Sequence, residues 1–333
     1  MPERILVVDD APENIQAISA ILRAQGYQVL AATDGARALE VLKKLRPDLL
    51  LLDVIMPELD GFEVCKRLKA TPEFAEIPVI FLTGKSETED VVRGFEVGAV
   101  DYVTKPFNSH ELLARVRTHL EIGRLNRENM RLLLNILPAQ IAERLKHDEG
   151  IVAERFDEVS VLFTDIVGFT PLSTRLSPTE LVELLNRLFS RFDEACDRHG
   201  VEKIKTIGDA YMAVGGLPET REGHLTSLAK VALEMLRIVK EVAPDQSLDV
   251  RVGIHVGSAV AGVIGIRKFS YDVWGDTVNT ASRLEHHGAP GRIHASDAVF
   301  ERLSTEFSFE PRGAVELKGR GVMNTYFLLP PDA

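Results

Sequence analysis

The chain is 333 residues long, 45% hydrophobic and 27% charged, with a formal net charge of −11; that length suffices for two ordinary domains with cores of their own. The acidic balance argues against a general nucleic-acid binder, which needs a cationic surface, and no apolar run approaches the ~20 residues that span a membrane. Two cysteines, Cys65 and Cys196, and a beginning (MPERILVVDD) with no charged-then-apolar leader lead us to expect a cytoplasmic protein without a disulfide framework, with neither nucleic acid nor membrane as partner.

From residue 1 to about 122, short apolar runs alternate with amphipathic helical patterns. The runs are RILVV, QVLAA, DLLLLD, VIFLT and DYV; the helical stretches lie near 12–25, 35–46, 61–70, 87–97 and 109–122. Strands and helices in strict alternation predict an α/β domain over 1–122, a five-stranded parallel, doubly wound sheet covered on both faces. Such a sheet carries its site at the carboxyl ends of its strands. The sequence puts Asp9, Asp10, Asp53, Thr83 and Lys105-Pro106 at those ends.

Three carboxylates at one edge repel one another unless a hard cation sits among them, and Mg2+ prefers oxygen ligands. One carboxylate could then act as a nucleophile toward a phosphoryl group. A lysine can pair with the added phosphate and a threonine hydroxyl can hydrogen-bond it. Taken singly, each aspartate could be a strand-to-helix cap; the right residue type at every position of one edge favours a site. The pattern VVDD, LLLLDVIMPELDG, FLTGK, YVTKPF resembles the response-regulator receiver domain along its full length. The resemblance implies that Asp53 is the phosphoacceptor, that Asp9 and Asp10 form the acidic pocket, and that Asp10 and Asp53 ligate Mg2+. It also implies Thr83 and Tyr102 as the switch pair, Lys105 as the phosphate partner, and a cognate histidine kinase as phosphodonor. A cis bond between Lys105 and Pro106 would match it.

After Pro106 the chain reads as one long helix. Leu113, Val116, Leu120, Met130, Leu134, Leu137 and Ile141 recur at steps of three and four, with Gly123 and Arg127 at the intervening positions. This heptad spacing predicts a two-helix coiled coil and a helical linker over 123–154. A continuous helix from 109 to 137 would span ~43 Å. Pro138 lacks an amide hydrogen and predicts a break. The alternative is a solvated helix packed back on its own first domain.

The remainder, 155–333, mixes its elements differently. DEVSVLFTDI reads as a strand and SPTELVELLNRLFSRFDEACDRH as a helix, opened by a capping box of Ser177 and Glu180. EKIKTIGDAYMAVGG reads as a hairpin around Gly208-Asp209. A helix follows near 222–242, then strands LDVRVGIHVG and SAVAGVIG, a helix DTVNTASRLEHH, and a last portion ending in VELKGRG and NTYFLL. This is an α+β arrangement.

Asp165 in FTDIVGFT and Asp209 in KTIGDAYMA each end a predicted strand, and YDVWGDTVNTASRLE supplies Asp272, Asn279 and Arg283. Paired aspartates can hold two divalent cations, which neutralise a triphosphate and lower the pKa of a hydroxyl that must attack phosphorus. The VGFT turn, with Phe169 and Thr170, could present backbone N–H groups to phosphates. Residues from about 155 to 329 resemble the class III nucleotide cyclase catalytic domain, and LLLNILPAQIAERL resembles the helical transducer that precedes it in many such enzymes. The resemblance implies a ferredoxin-like core and two Mg2+ (or Mn2+) ions per site on Asp165, Asp209 and the Ile166 carbonyl. It implies Arg283 on the α-phosphoryl charge, Asn279 on the ribose, and Lys318 and Arg251 on the terminal phosphates.

Adenine offers an amino donor and a ring-nitrogen acceptor, and Asp272 with Lys203 would match them. Guanine reverses both groups and would leave both side chains unpaired. Guanylyl cyclases typically carry glutamate in place of the lysine, so ATP is the expected substrate and cyclic AMP the expected product. In the family one subunit supplies the metal aspartates and its mate the base-reading pair, asparagine, arginine and final lysine. This chain carries both halves, which implies a homodimer with two equivalent sites.

Overall fold

The computed structural model describes residues 2–84, 88–146, 153–243, 248–265 and 269–330. The chain divides into two compact units, one running to Leu132 and the other starting at Leu133.

The first unit contains β1 (Arg4–Val8), α1 (Pro12–Arg23), β2 (Gln28–Ala32), α2 (Gly35–Lys44), β3 (Leu49–Asp53), α3 (Gly61–Lys69), β4 (Val79–Thr83), α4 (Thr88–Glu96), β5 (Asp101–Thr104) and most of α5 (Ser109–Leu134). Its five strands are all parallel, in the order β2-β1-β3-β4-β5. Alternate residues of one strand enter opposite cores, because successive side chains point to opposite faces. Leu50 and Leu52 pack on one side with Phe62 and Phe81, whereas Leu49 and Leu51 pack on the other with Ile18 and Val116. With both faces covered, β3 and β4 are buried at every position.

Helix α5 corrects the expected seam. Leu112, Val116 and Leu120 are buried in the first unit's core, and Leu113 packs against it. The helix stops at Leu134, short of Pro138, and α6 (Ala139–Lys146) begins after it. Leu137 and Ile141 are only 3% and 4% exposed, within the second unit. Most of the predicted seam is therefore spent inside single units. The large apolar residues left outside on α5 are Ile122, Leu125, Leu132 and Leu134.

The second unit continues with β6 (Ala153–Ile166), α7 (Phe169–Arg175), α8 (Pro178–His199), β7 (Glu202–Ile207), β8 (Ala210–Gly215), α9 (His224–Val242), β9 (Val250–Ile264), β10 (Ser270–Trp274), α10 (Asp276–His286), β11 (Ile293–Ser296), α11 (Asp297–Leu303), β12 (Phe309–Leu317) and β13 (Gly321–Leu328). The expected capping box opens α8: Glu180 N–H donates to Ser177 Oγ, and Ser177 N–H to Glu180 Oε2. The sheet runs β12-β13-β11-β9-β6-β8-β7, with β10 beside β9. It is antiparallel except where β11 meets β9. This is an α+β core.

Helices α8, α9 and α11 cover one face of this sheet through Leu188, Phe192, Leu228, Met235 and Val299. Helix α10 lies on the other face, against β9 and β6. It fits closely there because Gly253 has no side chain: a Cβ would sit 2.1 Å from Glu285 N and 2.4 Å from Ala281 O. The two strands expected around Gly257-Ser258 are one continuous β9. Gly257 is likewise a close approach, where a Cβ would lie 2.7 Å from Thr277 Oγ1.

Candidate active site

In the first unit the parallel sheet delivers the predicted residues to one edge. Asp9 follows β1, Asp53 ends β3, Thr83 ends β4 and Lys105 follows β5. The Lys105 Nζ donates to Asp9 Oδ2 and Asp53 Oδ2, each at 2.7 Å. Asp9 is fully buried, and its other oxygen accepts from Ala11 N and Asn14 Nδ2. Burial works against the Lys105 ammonium, but the bonds from Asp53 and Asp9 outweigh it and raise its pKa. Burial also raises Asp53, against the pull of Lys105. Oxygens of Asp9, Asp10 and Asp53 all lie within 4.8 Å of one another. Such a group of carboxylates could hold a metal ion, and oxygen ligands are those that Mg2+ prefers. Gly61 makes room beside Asp53, since a Cβ there would fall 2.1 Å from Asp53 O. Tyr102 lies on β5 and lines a small cavity with Thr83, Phe81, Gly94 and Phe95. The Lys105-Pro106 peptide is cis.

In the second unit Asp165 is the last residue but one of β6, directly opposite Arg251 of β9. Asp209 lies in the β7–β8 turn, behind Gly208 at φ +64°. Arg251 Nη2 donates to Asp165 Oδ2 at 2.8 Å, and its Nε donates to Glu285 Oε1 at 3.2 Å. Burial raises the Asp209 carboxyl pKa, and neighbouring Asp165 raises it further. Burial and then Asp165 push Glu285 up to about 7, with Arg251 opposing. Two adjacent carboxylates are a chemically fit seat for divalent cations. The Ile166 side chain enters the core, so only its backbone can face this seat. Phe169 and Thr170 open α7 after Gly168 at φ +72°, with no side chain capping that end.

The lysine that meets Asp272 is Lys205, not Lys203. Lys205 Nζ donates to Asp272 Oδ2 at 2.5 Å. Lys203 Nζ donates to Asp193 Oδ2 of α8 at 2.8 Å and lies 5.3 Å from the Tyr211 ring centroid. The cause is a bulge. Lys203 pairs with Ala213 and Lys205 with Met212, so Ile204 is the extra residue. Cross-strand partners share a face and consecutive residues do not. The bulge thus sends two lysines spaced by two to opposite faces of the sheet. Nothing in the local sequence marks it; there is no glycine at the bulge.

Glu285 is the other residue that sequence reasoning missed, because an isolated helix glutamate gives no sign of burial. On α10 it faces the sheet and Arg251. Asn279 and Arg283 project the other way: each residue turns a helix by ~100°, so Arg283 lies ~200° back from Glu285. Asn279 is exposed, and Arg283 makes no hydrogen bond or ion pair among the described residues. Its guanidinium nitrogens lie 3.9 Å from where a Gly319 Cβ would be, beneath the β12–β13 turn that carries exposed Lys318. Within one chain, then, the aspartate seat and the Asn279–Arg283 pair point in different directions.

Residues 151–330 match the family described as the adenylate and guanylate cyclase catalytic domain, and residues 5–117 match the response regulator receiver domain. An adenylate cyclase of Mycobacterium tuberculosis (strain ATCC 25618 / H37Rv) is 49% identical over 201 residues, 60% of this chain and 45% of that protein. The receptor-type guanylate cyclase gcy-28 of Caenorhabditis elegans is 45% identical over 203 residues, 59% of this chain and 16% of its own length. The guanylate cyclase domain of RhGC from Catenaria anguillulae, solved in complex with GTP, aligns with a TM-score of 0.51 at 36% identity, covering 53% of this chain and 98% of that one. The chain thus spans less than half the length of the mycobacterial relative.

Fold, site and likenesses together define a nucleotide cyclase catalytic domain that follows a response-regulator receiver domain. The chain belongs to the adenylate and guanylate cyclase catalytic-domain family. Class III cyclases generally use Mg2+ or Mn2+, and no helix among the described residues is long and apolar enough to cross a membrane.

Proposed function

We propose that this chain is an adenylate cyclase that acts as a homodimer under control of its receiver domain. The Lys205–Asp272 pair carries the choice of ATP. Asp272 can accept from the adenine amino group and Lys205 can donate to the adjacent ring nitrogen. Guanine would meet each with the wrong partner, and buried unpaired polar groups discriminate strongly. The likeness to guanylate cyclases keeps GTP as the competing substrate.

Asp165, Asp209 and the Ile166 carbonyl would hold two divalent cations, Mg2+ or Mn2+, whose chemistry is to neutralise the triphosphate and acidify the ribose 3′-hydroxyl. The 3′-oxygen bonds to the α-phosphorus as the bond to pyrophosphate breaks, and the hydroxyl proton passes to solvent. Arg283 of the mate meets the charge that builds on the α-phosphoryl oxygens, and Asn279 holds the ribose. Arg251, already beside Asp165, and Lys318 of the mate take the terminal phosphates.

Three observations support the second copy. Asn279 and Arg283 face away from their own chain's aspartates on α10. Val260, Ile264, Phe269 and Trp274 leave the β9–β10 hairpin with an exposed apolar patch. On α5, exposed Ile122, Leu125 and Leu132 with Asn129 follow heptad steps, a stripe that a parallel mate would cover. Phosphorylation of Asp53 by a histidine kinase would engage Thr83 and Tyr102 and bias this dimer.

The test is turnover of purified protein with ATP and GTP in competition, in Mg2+ and in Mn2+. Cyclic AMP as the main product supports the reading. Preferential cyclic GMP sinks the substrate assignment, and no cyclic nucleotide from either sinks the activity.

A further inference from the structure

Arg320 lies in the β12–β13 turn, two residues after Lys318, and nothing in the proposed chemistry uses it. It is nonetheless the best-connected side chain of that turn. Its Nη1 lies 2.8 Å from His255 Nε2 and donates to Thr280 Oγ1 at 3.1 Å. Its Nε lies 3.1 Å from Asp276 Oδ2. Its backbone N–H closes the turn on Leu317 O at 2.9 Å.

A guanidinium only donates, so His255 Nε2 must accept and its proton must sit on Nδ1. Nδ1 then donates to Ser296 Oγ at 2.7 Å. Ser296 also caps α11 by accepting from Val299 N. His255, Thr280 and Ser296 are all buried. Burial, then the Arg320 charge, push the His255 imidazolium down to about 4 and keep the ring a neutral acceptor. The arginine is thus anchored on a rigid post in β9.

The consequence is positional. Asp276 and Thr280 are one turn apart on α10, and Asn279 and Arg283 form the neighbouring stripe of the same helix. Gly319, at φ +76°, brings the turn down over the Arg283 guanidinium. We infer that Arg320 is a positioning residue: it clamps the β12–β13 turn to α10, so that Lys318 and Arg283 are presented together to one polyphosphate. This rests on the proposed triphosphate site.

The test is a double-mutant cycle in the full chain with Arg320→Gln, Lys318→Ala and the double variant. The readouts are turnover of ATP and equilibrium binding of a triphosphate whose α,β bridge is methylene, which cannot release pyrophosphate. Arg320→Gln is expected to weaken analogue binding and kcat/KM by about tenfold alone, but by less than about threefold in the Lys318→Ala background. Adenosine, which has no phosphates, should bind Arg320→Gln within about twofold of wild type, because the Lys205–Asp272 pair is untouched. Equal losses in both backgrounds, or adenosine weakened as much as the triphosphate, would overturn the inference. Coupling in analogue binding by a wild type that makes no cyclic nucleotide would instead sink the cyclase reading and leave the clamp standing. Failure to bind the analogue at all would remove both.

Discussion

The two units each gather acidic side chains around one cation, and they differ in how many of the predicted groups meet within one chain. In the receiver domain Lys105 bridges Asp9 and Asp53 from the same sheet edge, so every predicted group is present in one chain. In the catalytic domain Arg251 bridges Asp165 and Glu285, while Asn279 and Arg283 leave α10 on its far side. A parallel sheet converges its strand ends by construction. An antiparallel sheet with a helix on its face separates the groups, and a symmetric mate can bring them back together.

The sharpest way to break that contrast is complementation. Asp165→Ala and Arg283→Ala should each lower cyclase turnover by about a thousandfold or more, since each removes a group acting on transition-state charge. Co-expressed, they should recover about a quarter of wild-type turnover, because half the dimers are mixed and each mixed dimer has one intact site. No recovery would mean that the site closes within a single chain.

Next in size is the lysine contrast. Lys205→Glu should cut ATP turnover by about a hundredfold and raise the share of cyclic GMP. Lys203→Glu, on the other face, should stay within about threefold of wild type. Product analysis decides, and the opposite ranking would return the base-reading role to Lys203.

Coupling between the units comes third. A small-molecule phosphoryl donor should change wild-type turnover by about fivefold or more, and Asp53→Asn should show no response to it. An unchanged wild type would make the receiver's complete site irrelevant to the catalytic one.

The smallest effect concerns protons. Burial pushes His255 and His294 down to about 4, against an ordinary 6.5. Between those values the unfolded chain binds more protons than the folded one. The stability of the catalytic domain is therefore full above about pH 6.5 and is lost as pH falls toward 4, by at most about 1.4 kcal/mol per pH unit for each ring. His255→Gln offers the same acceptor and donor without titrating, and should flatten that slope in urea midpoints taken from pH 5 to 7. An unaltered slope would show that His255 does not titrate on unfolding in this range.

Legibility followed the same divide. Asp9, Asp53, Thr83 and Lys105 could be placed because LLLLD and VIFLT are strands buried on both faces, whose ends have one place to go. The sequence divides LDVRVGIHVG from SAVAGVIG, but Gly257 between them marks the close approach of Thr277 to an unbroken β9. Val116 and Leu120 carried heptad spacing, yet a heptad stripe and a core-facing stripe look alike for two turns; burial against β1, β3 and β4 decided between them. Glu285 was silent because only packing against Gly253 buries it.

By itself the sequence determined the residue types and their order: two sets of strand-end aspartates, a helix carrying Asn279 and Arg283, and a lysine-rich strand before Asp209. Periodicity and strand-end chemistry are local properties, so they survive without coordinates. Tertiary structure alone decided which lysine reaches Asp272, which way α10 turns its arginine, and which apolar stripe of α5 stays outside. Each depends on a bulge or a packing contact between segments far apart in the chain, and such pairings leave no mark on either segment alone.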